Sequence, residues 1–180
     1  MQHIRLYFNL LIIGIAITQT GCRKSETHPP STPPVATPAG TAKELFEQTL
    51  KDYHLASAEA AEPKKSALLK KAEDGYRQVI HYFPKDAQWA AQAQRSLGNV
   101  QAEQGHWEEA VQSYAQVEKD YPKQEWEILQ SWKSAADLLW DKDQKAKSQE
   151  YYRKIINTYD GKDVGAVFGI IVKASKKRLE

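Results

Sequence analysis

Cys22 is the only cysteine in the chain, and it directly follows Thr20 and Gly21. A single thiol excludes an internal disulfide framework and any multi-cysteine zinc or iron–sulfur site. Beyond residue 41 the groups able to do acid–base or ligand chemistry are sparse. His54, His81 and His106 each lack a second His or Cys at ligand spacing. Glu108 and Glu109 sit where a helix begins, and the helix dipole favours anions there. Asp141 and Asp143 fall in a turn. Neither acidic pair has a nucleophile or base beside it, and no G-x-S-x-G, phosphate-cradling glycine loop or H-E-x-x-H is present. No enzyme, cofactor, metal or small-molecule substrate is expected. With 25 Lys and Arg against 23 Asp and Glu, net charge is only +2, which disfavours nucleic acid as a partner.

Three parts of the chain must position whatever these residues do. Residues 1–21 have one early cation, Arg5, then an apolar run over residues 6–18 with no acid, then small residues before Cys22. These are the parts of a secretory signal peptide. The alternative is a transmembrane anchor, but the run is short for about 30 Å of hydrocarbon. Thr20, Gly21 and Cys22 resemble the lipobox of bacterial lipoproteins, although Gln19 stands where that family carries an apolar residue. The resemblance implies cleavage before Cys22, lipid on its sulfur and an effectively permanent membrane anchor. Arg23 follows instead of an inner-membrane retention aspartate, so the resemblance points to the periplasmic face of an outer membrane.

Residues 22–41 read as the lipidated cysteine and a stalk. Five of the eight prolines fall here, at 29, 30, 33, 34 and 38, with almost no large apolar side chains. Such a segment cannot bury enough surface to fold and is biased to polyproline II. From Thr41 the pattern becomes helical, with Thr41 and Glu44 spaced as a capping box. Seven apolar stripes follow, through Phe46, Tyr76, Leu97, Tyr114, Trp132, Tyr152 and Phe168. All have the period of amphipathic helices. Only residues 164–172, apolar on every side, could pass for a buried strand.

The stripes repeat. Ala72, Tyr76, Val79, Phe83 and Pro84 recur at one fixed spacing as Ala110, Tyr114, Val117, Tyr121 and Pro122, then as Ser148, Tyr152, Ile155, Tyr159 and Asp160. A fixed period of this length marks a helical solenoid, whose helix pairs bury their apolar faces by stacking. Gly98 and Ala110 are expected at a close crossing of two antiparallel helices. Leu97, Gly98, Gly105, Ala110, Tyr114 and Pro122 resemble a tetratricopeptide repeat, as do Trp132, Ala136, Ser148 and Tyr152 with departures at Ser148 and Asp160. The usual repeat is shorter by four residues, so one turn is added to the first helix or to the loop between repeats. The expected fold of residues 42–180 is all-α: a tetratricopeptide-like solenoid of about three helix pairs and a C-terminal capping helix. That helix breaks the register, since Lys173 stands one full period after Ala135.

Long repeats ending in an aromatic residue and proline are similar to those of bacterial envelope lipoproteins, among them the outer-membrane assembly lipoprotein and the Tol-Pal coordinator. This resemblance implies a membrane-anchored scaffold that binds envelope proteins or peptide segments in its concave groove, in outer-membrane protein assembly or in cell-wall and division coordination. In such superhelices the first helix of each pair lines the groove. The groove residues are then Gln92, Arg95, Asn99 and Glu103 on one helix, and Gln130, Lys133, Asp137 and Trp140 on the next. Arg95 and Asn99 are one turn apart, as in part of a carboxylate clamp, but Ser134 stands where a second amide is wanted. Trp140 is expected to anchor a segment, or else to pack beneath the turn at residues 141–144, with Arg95 and Lys133 setting polarity.

Overall fold

The structure, a computed structural model, describes residues 39–180; the signal segment, Cys22 and the proline-rich stretch to Pro38 lie outside the described residues. The first helical stretch is α1 (Ala42–Thr49), a π-helical turn (Leu50–Leu55) and the short α2 (Ala56–Ala58). Then follow α3 (Lys64–Tyr82), α4 (Ala87–Glu103), α5 (Trp107–Asp120), α6 (Glu125–Asp141), α7 (Lys145–Tyr159) and α8 (Ala166–Lys177). No strand occurs among the described residues, and residues 166–172, the apolar stretch open to a strand reading, are helical in α8. The capping box forms: Glu44 N–H donates to Thr41 Oγ1 at 3.2 Å, and Thr41 N–H donates to Glu44 Oε2 at 2.8 Å.

The repeat period is carried by the backbone itself. Asp86 N–H donates to Phe83 O at 3.0 Å, and Gln124 N–H donates to Tyr121 O at 2.9 Å, so the turns around Pro84 and Pro122 are the same turn. Within the pairs, His106 N–H donates to Gln101 O and Gln144 N–H donates to Leu139 O, both at 2.8 Å. Each of these inner turns needs one left-handed residue, filled by Gly105 (φ 86°) and then by Asp143 (φ 57°). The four extra residues lengthen the first helix: α4 and α6 have 17 residues, α5 and α7 have 14 and 15.

Tyr76, Tyr114 and Tyr152 fill the same place in successive units, and all three are buried. The ring of Tyr114 lies against Gly98; a Cβ there would come within 2.5 Å of it. The close approach at Gly98 is therefore to the Tyr114 ring, with Ala110 fully buried nearby in sequence. Ser148, which departs from the alanine of the other units, is also fully buried. Its hydroxyl donates to the Ala136 carbonyl at 2.7 Å, which satisfies the one polar group that the change introduces.

The stacking defines two sides. α1 touches α4, α4 touches α6 and α6 touches α8, whereas no comparable backbone approach joins α3 to α5, or α5 to α7, which meet through the Glu118–Lys154 ion pair. First helices converge and second helices splay apart, so the first helices form the concave side. α8 holds a first-helix place but buries a different stripe from α6. Val172 and Ser175 are buried and Phe168 and Ile171 partly so. By register these stand where α6 has Ser134, Asp137, Gln130 and Lys133. Apolar residues in place of polar ones turn this face of the last helix toward its neighbours, and that is the physical content of the broken register at Lys173.

Candidate functional site

All eight expected groove residues lie on α4 and α6, the adjoining first helices. Seven are half-buried, and Glu103 is exposed. The side chains of Arg95, Asn99, Glu103, Lys133, Asp137 and Trp140 are engaged with one another or with the flanking helices. Arg95 Nε donates to Glu127 Oε2 at 2.6 Å, tying α4 to α6. Both partners are largely shielded, with side chains 20% and 12% exposed, so this pair has more weight than a surface ion pair. Among the described residues, the terminal guanidinium nitrogens of Arg95 make no hydrogen bond to protein, which leaves them for an incoming acceptor. Asn99 Oδ1 accepts from the Tyr114 hydroxyl at 2.8 Å. The two halves of the expected partial clamp are thus committed to different neighbours: Arg95 to a carboxylate of the chain, Asn99 to the tyrosine beneath it.

The next unit repeats the arrangement with a charge. Asp137, one period after Asn99, accepts from the Tyr152 hydroxyl at 2.6 Å, and its other oxygen accepts from Lys133. Burial raises the pKa of all three stacked tyrosines, Tyr114 to about 12. The Asp137 carboxylate adds to the rise at Tyr152, because it binds the neutral hydroxyl and repels the phenolate. In the first unit Tyr76 meets His54 instead. His54 Nε2 is 3.1 Å from Glu103 Oε1, and Nδ1 is 3.0 Å from the Tyr76 hydroxyl. The carboxylate can only accept, so Nε2 carries a proton; in the neutral ring Nδ1 then accepts from Tyr76. His54 therefore serves as a bracket between the π-helical turn, α3 and α4.

Trp140 closes one end of the face. Lys145 Nζ lies 3.8 Å from its ring centroid, and the Arg178 guanidinium carbon lies 5.0 Å away. Lys145 also donates to the Trp140 carbonyl at 3.1 Å. The ring thus sits among cations from the starts and ends of neighbouring helices, including Lys145 just beyond the turn at residues 141–144. Beside it opens a cavity of about 580 Å³ lined by Lys133, Trp140, Ala174, Lys177, Arg178 and Glu180. Gln92 and Gln130 stand at the same register position of α4 and α6. Glu127, His54, Lys145 and Arg178 are the participants that sequence reasoning missed. Glu127 precedes an apolar stripe residue, and its partner Arg95 is 32 residues away, a spacing that belongs to no helical or repeat period.

The family model for the tetratricopeptide repeat matches residues 92–123, from within α4 through α5 to the turn that follows. No curated protein and no solved structure gives a match. Helix pairs stacked on a common register, one of them matched by that model, make the described domain a tetratricopeptide-like helical solenoid, an architecture suited to protein–protein interaction.

Proposed function

We propose that this protein is an envelope scaffold that holds a segment of a partner protein along the concave face of α4 and α6. It is held at the periplasmic face of the outer membrane by lipid on Cys22, and it serves outer-membrane protein assembly. The observation that carries the groove reading is the convergence of the first helices. These helices carry the Gln92 and Gln130 amides, the Arg95 guanidinium, Lys133 and Trp140 with its cavity, and their convergence supports reading these groups as one face. The amides suit an extended backbone, which offers donors and acceptors along its length. Arg95 and Lys133 favour acceptors and carboxylates on the segment. Trp140, already desolvated on part of its surface, is the large aromatic of the face, a type enriched at interface hot spots.

Support for the anchor is the sequence at residues 1–22 alone. Fatty-acid labelling checks it: label is expected in the wild type and absent in Cys22→Ala, and label kept by the variant removes the anchor from the proposal. The groove is tested by crosslinking in intact cells, with circular dichroism on each variant. Trp140→Ala combined with Lys133→Ala should abolish recovery of the partner while helicity is retained. Full recovery with both changes places the segment elsewhere.

A further inference from the structure

Val167, Ile170, Ala174 and Lys177 fall at i, i+3, i+7 and i+10 of α8, a single helical stripe. All four are exposed, Val167 at 54% and Ile170 at 67%. One period earlier the stripe is Leu129, Trp132, Ala136 and Leu139; two periods earlier it is Ala91, Gln94, Gly98 and Gln101. All eight of these are buried. What meets most of them is the second helix of their own pair, while Trp132 also donates to Glu118 of α5. Gln94 donates to Ser113 O, Ser113 donates to Gln101, the Tyr114 ring covers Gly98, and Ser148 donates to Ala136 O. Twice along the chain, then, this stripe seats a helix; α8 is turned about its axis by comparison, and its copy of the stripe is exposed instead. On α8 no helix among the described residues lies on it.

We propose that α8 seats an amphipathic helix of another protein on this stripe, acidic in its first turns and apolar in its last. The charge pattern selects that occupant. Apolar Val167 and Ile170 open the stripe, and Trp126, 41% exposed, stacks at 5.5 Å on Phe168, the residue next to Val167 in sequence. The other end is basic: Lys173, Lys177 and Arg178, with the cavity beside Trp140 at its edge. A helix antiparallel to α8 sets carboxylates of its first turns against Lys177 and Arg178. Its own dipole favours acids there, and α5 begins in this way with Glu108 and Glu109. The stripe is about 15 Å long at 1.5 Å per residue, which is the length of about three helical turns.

The probe is a synthetic peptide of residues 106–121, the α5 sequence with Glu118, Lys119 and Asp120 changed to Ala so that its last turns are apolar, hydrocarbon-stapled because isolated helices of this length are marginal in water. It is titrated into the purified protein while the Val167 and Ile170 methyl resonances are followed. Saturable shifts at both are expected, abolished by Ile170→Glu and retained in Arg95→Ala, a change on α4 in the groove of the function proposed above. A peptide with Glu108→Lys and Glu109→Lys should bind at least about tenfold more weakly. Shifts that never saturate, or that survive Ile170→Glu, overturn the proposal. So do phosphatidylglycerol vesicles shifting these methyls while the peptide does not, which makes the occupant a lipid surface. Self-association lost in Ile170→Glu with the peptide silent likewise overturns it in favour of a second copy of the chain.

Discussion

α6 and α8 occupy equivalent places in successive repeat units, yet they bury different stripes. In α6 the residues Leu129, Trp132, Ala136 and Leu139 are buried, and Gln130, Lys133 and Asp137, the expected groove residues, are half-buried. In α8 the positions in register with the groove residues are Phe168, Ile171 and Ser175, and these turn inward. A helix buries whichever stripe removes more apolar surface from water. The period therefore determines where a helix falls along the chain, and the side chains determine how it is turned about its axis. An internal helix keeps a polar face because both flanks are covered by neighbours. α8 has its neighbours on one flank and shows the rest.

The sharpest way to break the comparison is to overfill the internal interface. Gly98→Leu drives a side chain into the Tyr114 ring and should cost about 1–3 kcal/mol, read from urea melts. Little or no change in midpoint would mean that α4 and α5 do not pack in this register. Next in size is the α4–α6 tie. Arg95→Ala leaves Glu127 largely shielded and unpaired, at a cost of about 1–2 kcal/mol, between that of an exposed pair and that of a buried one. The same change at Lys176, whose bridge to Asp160 is half exposed on both sides, should cost less than about 1 kcal/mol.

The stacked tyrosines sharpen the comparison through pH. A free tyrosine titrates near 10, and burial raises Tyr76, Tyr114 and Tyr152 above that. Below about pH 10 each is neutral folded and unfolded, so their contribution is complete. Above it the unfolded chain ionises first, and stability is lost progressively as pH rises through the folded values. Tyr114→Phe should cost about 0.5–1.5 kcal/mol at neutral pH for the hydrogen bond to Asn99, and should make the alkaline decline shallower. An unchanged alkaline slope would contradict the burial of this hydroxyl. The smallest effect has the opposite sign. Gly169 lies in α8 with nothing within 4 Å of the place a Cβ would take, so Gly169→Ala should gain about 0.5–1 kcal/mol of stability. A loss there would show that α8 is covered.

Most helices and their ends were legible in the sequence because each rests on a local cause: a capping box at Thr41, prolines after Phe83 and Tyr121, and turn residues at Gly105 and Asp143; the π-helical turn at Leu50–Leu55 was not. The repeat was legible for the same reason, since Tyr76, Tyr114 and Tyr152 have one job at one spacing. The placing of Gln92 and Gln130 at one register position of α4 and α6, and of Arg95 and Lys133 at another, followed from that period. What they touch did not. Arg95 pairs with Glu127 and Glu103 meets His54 across distances fixed by how helices lean together, which no single helix records. Nor did the sequence show that Trp140 is held by cations from the start of α7 and the end of α8, Lys145 and Arg178. The facing of α8 was half legible. Lys173 marked a departure, but which stripe would turn inward depended on the surface left by α7.

The claim that this solenoid works through its concave face is tested most directly by position-specific photocrosslinking in intact cells. A photoreactive residue is placed at Gln92 or Gln130, on the converging first helices, and at Lys119 or Arg153, exposed on the splayed second helices. The account predicts a discrete protein adduct from Gln92 and Gln130 and none from Lys119 and Arg153. Adducts from Lys119 and Arg153 alone would contradict it.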